Sequence, residues 1–108
     1  MNLPATMRAA VLTRAREVSV EDVPLPRMEA SDVMVRIASV GLCGSDVHFY
    51  EEGRVGDLVV DKPLILGHDA SGTIVAVGDG VDDARIRQRV AIEPQRPCRQ
   101  CAYCLTGR

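Results

Sequence analysis

Cys98, Cys101 and Cys104 form a Cys-x2-Cys-x2-Cys run near the end of a 108-residue chain, with Cys43 and the Gly67-His68-Asp69 turn far upstream. Three thiols on one short, polar, turn-like stretch offer soft ligands to a metal, and a closed tetrahedral zinc site takes four such ligands at about 2.3 Å. One ligand is therefore missing from the run. The alternative, loop or buried cysteines without a metal, fits the polar surroundings less well. An iron–sulfur reading would need a fourth cysteine where Arg108 stands, followed by proline. Zinc leads, and Cys43 with His68 reads as the start of a second site.

The elements that must position these residues belong to an ordinary globular chain. Hydrophobic residues make up 46% and charged residues 26%, while the 3% aromatic share leaves Val, Ile, Leu and Ala to fill the core of a single modest domain. Net charge is −2, but residues 85–108 carry six arginines against Glu93 alone. Clustered arginines can bind phosphates. Here they are dispersed among apolar residues with only Tyr103 to stack a base, so nucleic acid is not expected as a partner. No apolar run reaches membrane-spanning length and no secretory signal is present, which predicts a cytoplasmic chain with reduced thiols and no membrane partner.

Periodicity predicts strands over 7–12 and 17–23 as a hairpin, then a strand from Asp32 towards Gly41 that becomes apolar on both faces and should be the best buried so far. Ser45 and Asp46 offer an N-cap for a helical turn over 47–51. Residues 52–63 read as an exposed loop, 70–77 as a strand ended by Gly78-Asp79-Gly80, and 89–92 as a last strand before the cysteine run. Gly78-x-Gly80 lacks the third glycine and the following helix of a dinucleotide fingerprint. Short strands between turns predict a mainly β domain, a barrel.

Val40-Gly-Leu-Cys43-Gly-Ser-Asp-Val-His48, Leu66-Gly-His68-Asp-Ala-Ser-Gly72, Glu93-Pro94 and the cysteine run resemble, in this order, the zinc-dependent medium-chain alcohol dehydrogenases, the sorbitol and xylitol (polyol) branch above all. The resemblance covers Met7 to Arg108. It implies a GroES-like, partly open β-barrel, with residues 1–108 an incomplete catalytic domain, an irregular zinc lobe from about residue 93, and the Rossmann NAD-binding domain absent.

Carried over by position, it makes Cys43 and His68 ligands of a catalytic zinc and Asp46 the acid that hydrogen-bonds the ligating histidine. Ser45 and His48 match the groups that carry the alcohol proton to solvent. Cys98, Cys101 and Cys104 become ligands of a structural zinc. Taken singly, Cys43 reads as a small buried hydrophobe, Ser45 as a helix cap and His48 as a solvated helix residue. The family usually has Glu where this chain has Asp69, one methylene shorter at a third metal position. It commonly has glycines where Arg87 and Gln95 stand, and positive φ there would strain a non-glycine residue.

The resemblance implies a fragment of an NAD(P)-linked zinc polyol dehydrogenase that oxidises a sugar alcohol to a ketose and forms a dimer or tetramer when full-length. The fragment alone is expected to be inactive. The rival is a stand-alone zinc-binding or interaction module with a GroES-like fold; a nucleic-acid-binding zinc ribbon is a distant third.

Overall fold

A computed structural model describes residues 3–107. Among these residues eight strands, two short helices and a 3-10 turn follow one another as β1 (Thr6–Arg14), β2 (Glu17–Pro24), β3 (Val33–Gly41), α1 (Gly44–Glu52), β4 (Arg54–Val55), β5 (Leu58–Val59), β6 (Leu64–Ile65), β7 (Asp69–Val77), the turn Asp83–Arg85, β8 (Arg89–Ala91) and α2 (Ala102–Thr106). The strands form two three-stranded antiparallel sheets, β2-β1-β6 and β3-β7-β8, with β4 and β5 a separate small hairpin. The mainly β, open-sheeted GroES-like architecture agrees with the expectation. Among the described residues no helix is long and apolar enough to cross a membrane.

The β1–β2 hairpin pairs Thr6 with Pro24 through to Arg14 with Glu17 and turns at Arg16, whose φ is 64°. The Arg16 N–H donates to the Tyr50 carbonyl at 2.6 Å, which ties this hairpin to α1. In the second sheet, Gly41 lies opposite Asp69. The loop that delivers Cys43 is thereby held beside the turn that delivers His68.

Four expectations change. β3 is not the best-buried strand: Ile37 is 46% and Val40 53% exposed, whereas β1 buries Ala9, Val11 and Leu12. Both faces of β3 are apolar, yet Ile37 and Val40 line an open cleft instead of packing under a covering layer. The helix begins at Gly44 with Cys43 as N-cap, rather than being capped by Ser45 or Asp46. The stretch 52–63 contains the β4–β5 hairpin, turned by Gly56 at φ 57°. The cysteine lobe is not wholly irregular, because Cys101 caps α2.

The glycine-to-arginine departure at position 87 has a physical consequence. Arg87 takes φ 81°, in the left-handed region that disfavours a β-carbon. It holds that conformation because its N–H donates to the Ile74 carbonyl at 2.8 Å, while the Ile74 N–H donates to the Gln88 carbonyl at 2.9 Å. Gln95, by contrast, is not among the positive-φ residues. Arg87→Gly is expected to raise stability by about 1 kcal/mol, the strain of a left-handed non-glycine residue less the entropy of glycine. A urea midpoint unchanged or lowered by the substitution would contradict this.

Candidate metal centre

Two clusters emerge from the fold. In the first, Cys43 ends the loop after β3, and the residue three positions on, Asp46, reaches back so that its Oδ2 accepts the Cys43 N–H at 3.1 Å. This is the return half of a capping box with a cysteine in the usual Ser/Thr place. Asp46 is the one buried residue of α1, at 4% exposure, and its other oxygen, Oδ1, lies 3.6 Å from His68 Nδ1. That separation is longer than a hydrogen bond, so the carboxylate faces the ring without bonding it. Gly67, at φ 106°, makes the turn that brings His68 there; a β-carbon on it would meet Val40 Cγ1 at 2.8 Å.

The Cys43 thiol is pulled below its usual range by the Ser45 hydroxyl, then by the Ser45 N–H and by His68. Ser45 thus faces the thiol from the first turn of α1. His48 lies exposed farther along the helix, and among the described residues no hydrogen bond joins it to Ser45. Asp69 is exposed, and its carboxylate sits over the paired strand: a β-carbon on Gly41 would meet Asp69 Oδ2 at 3.0 Å. Cys43, His68 and Asp69 do not form a group with all donor atoms within 4.8 Å; among the described residues only Cys98, Cys101 and Cys104 do so.

That second cluster has the dimensions of a thiolate metal site. A tetrahedral zinc with bonds of about 2.3 Å separates its sulfurs by about 3.8 Å, and Cys98 Sγ and Cys104 Sγ are 3.7 Å apart. Left-handed backbone at Arg99, φ 64°, helps the Gln100 and Cys101 N–H groups point at Cys98 Sγ, at 3.5 and 3.4 Å. The Cys104 N–H donates to Cys101 Sγ at 3.4 Å. Donors aimed at sulfur favour the thiolate a metal requires. The Gln100 N–H, then that of Cys101, then the Cys101 and Cys104 side chains lower the Cys98 pKa to about 7. Because the thiolate is the nucleophile, alkylation of Cys98 in the metal-free chain should rise with pH and reach half its plateau near about 7. A half-point near 9 would show that these N–H groups do not act on the sulfur.

A cleft of about 910 Å³ opens between the sheets, lined by Ile37, Val40, Leu42 and Ile65 together with Asp46, His68 and Tyr50. The sequence reading missed the Cys43 and Cys101 caps, although the Cys43-x-x-Asp46 spacing is the capping-box signal with sulfur for oxygen. It also missed Tyr50, for which an aromatic residue on a short helix gave no signal.

Residues 29–108 match the alcohol dehydrogenase GroES-like domain. The chain is 44% identical over 106 residues to sorbitol dehydrogenase of Bacillus subtilis (strain 168), covering 98% of this chain and 30% of that protein. Galactitol-1-phosphate dehydrogenase from Escherichia coli superposes with a TM-score of 0.79 at 39% identity, over 93% of this chain and 28% of that one. The E. coli CFT073 alcohol dehydrogenase rspB, complexed with cofactor NADH, gives a TM-score of 0.83 at 32% identity, over 96% of this chain and 29% of that one. The chain spans about 30% of the length of the relatives it matches. With its fold and this match over residues 29–108, the chain belongs to the alcohol dehydrogenase GroES-like domain family, alongside sorbitol dehydrogenases.

Proposed function

We propose that this chain is the zinc-binding part of the catalytic domain of a cytoplasmic, NAD(P)-linked polyol dehydrogenase, which converts a secondary alcohol of a sugar alcohol to a ketone. The observation that carries it is Asp46, buried, bonded to the Cys43 backbone and turned towards His68 Nδ1. A buried carboxylate behind a histidine fixes the ring so that its other nitrogen, Nε2, faces outward as a ligand. Cys43 and His68 would hold the catalytic metal, with Asp69 at a third position after a side-chain rotation. Zinc held there would supply Lewis acidity that eases deprotonation of a substrate hydroxyl.

The chain's own residues do the remainder. The apolar wall of the cleft orients the carbon skeleton beside His68. Ser45 receives the hydroxyl proton, and His48, exposed on the same helix, passes it to solvent once a substrate or water bridges the two. Cys98, Cys101 and Cys104 would hold a second, structural zinc. Hydride requires a nicotinamide acceptor, and these 108 residues contain no dinucleotide fingerprint. The chain by itself is accordingly an inactive portion, and the nucleotide domain and the dimer or tetramer contacts belong to a longer form.

Cobalt titration tests this. Wild-type chain should take up two equivalents, with thiolate charge-transfer bands of different intensity for a site with one sulfur and a site with three; Cys43→Ser should abolish the weaker set alone. The purified chain should show no sorbitol- or xylitol-dependent NAD reduction. A single class of cobalt site unaffected by Cys43→Ser would sink the catalytic-zinc reading and leave a metal-binding module.

A further inference from the structure

We propose that Cys98 and Cys104 form a peroxide-oxidisable dithiol, which closes to an intrachain disulfide and leaves Cys101 as a free thiol. The inference rests on the zinc reading above only for its consequence, metal release; the sulfur pairing stands on geometry.

All four cysteines are free, and Cys98 and Cys104 bring their sulfurs to 3.7 Å across six positions of chain. A disulfide at about 2.05 Å asks the two atoms to close by roughly 1.7 Å, within the reach of side-chain rotation. The pair is unequal in a useful way. Cys98 is exposed to solvent and its sulfur is held by the Gln100 and Cys101 N–H groups, whereas Cys104 is half-buried behind it. Among the described residues no backbone N–H donates to Cys104 Sγ, so that sulfur is free to swing. Cys101 is the poorer partner for Cys104, because its sulfur accepts the Cys104 N–H as the cap of α2 and a bond between the two would break that cap.

The chemistry balances with a hydroperoxide as oxidant. The Cys98 sulfur attacks one peroxide oxygen, the O–O bond breaks, one water leaves and Cys98 becomes a sulfenic acid. The Cys104 sulfur then attacks the Cys98 sulfur, the S–O bond breaks, the second oxygen leaves as water and the S–S bond forms. Two thiols lose two hydrogens in total, and hydrogen peroxide is reduced to two waters. A sulfur committed to a disulfide no longer ligates, so two of three loop ligands disappear in one event and the metal is released.

The full chain, zinc-loaded and metal-free, is treated with increasing hydrogen peroxide, blocked with N-ethylmaleimide, and digested with trypsin without reduction. Cleavage after Arg99 separates Cys98 from Cys101 and Cys104, so the disulfide appears as two joined peptides and fragmentation locates the alkyl group. The expected product joins Cys98 to Cys104 with Cys101 alkylated, forms in both preparations, and is reversed by dithiothreitol. In the loaded chain a chromogenic chelator should register zinc in step with it. In Cys104→Ser the joined peptides should be lost and a dimedone adduct should accumulate on Cys98. A Cys98–Cys101 or Cys101–Cys104 product, a bond between chains, or sulfinic acid without any bond would each overturn the inference. The expected disulfide without bound zinc to release would support the dithiol and defeat the structural-zinc reading instead.

Discussion

Asp46→Ala is expected to weaken metal binding at Cys43 and His68 by about 10- to 100-fold while leaving the cysteine loop untouched, the usual effect of removing an outer partner of a ligating histidine. Asp46 does two separable things. Its Oδ2 accepts the Cys43 N–H, the return bond of the capping box at the start of α1, and its Oδ1 faces His68 Nδ1. Losing that bond should cost the metal-free chain about 1 kcal/mol. Asp46→Asn separates the two roles, because the amide oxygen still accepts the Cys43 N–H but the negative charge opposite the imidazole is gone. The Asp46→Asn variant should therefore keep nearly all the stability and still lose metal affinity. The measurements are urea unfolding of the metal-free variants and competition with a chromogenic chelator. If Asp46→Asn binds metal as tightly as wild type, the carboxylate serves the helix alone and the histidine is oriented by something else.

The parts of this molecule legible in the sequence were those set by local pattern. The alternation in 7–12 and 70–77 and the turn glycines gave strands close to their observed bounds. The cysteine spacing gave a cluster whose sulfurs do converge. What was not legible depended on what packs against what. β3 reads as buried because both faces are apolar, but burial is a property of the layer opposite, and Ile37 and Val40 face an open cleft. The same limit applies to Asp69: its position in the motif is plain, whereas its carboxylate lies over Gly41 because the strand register places the two opposite each other. Cys43 as a helix cap was legible in principle, but sulfur is a rare occupant of that place, and Ser45 with Asp46 offered the commoner residue types.

Ile74→Ala is expected to remove a large share of the chain's stability. Ile74 is 1% exposed and, with Leu12, is the largest fully buried side chain; Ala9 and Val11 complete the buried apolar set among the described residues. It sits in β7 opposite Val35, with both backbone groups bonded to the Arg87–Gln88 segment, so the neighbours that would have to collapse into a cavity are pinned. A pinned site relaxes little, and truncation of a buried Ile costs about 2–5 kcal/mol. Against a folding margin of roughly 5–15 kcal/mol for a typical domain, and with so few buried side chains here, the loss should move the urea midpoint to low concentration or abolish a cooperative transition. Ile37→Ala is the control. At 46% exposure in the cleft wall, Ile37 should cost under about 1 kcal/mol in the isolated chain, since little apolar area is recovered by water. Equal, large losses from both substitutions would mean that the cleft face is covered in solution, and sedimentation of the wild-type chain would then have to show an associated species. A midpoint for Ile74→Ala within error of wild type would mean that the fold is not held by this core at all.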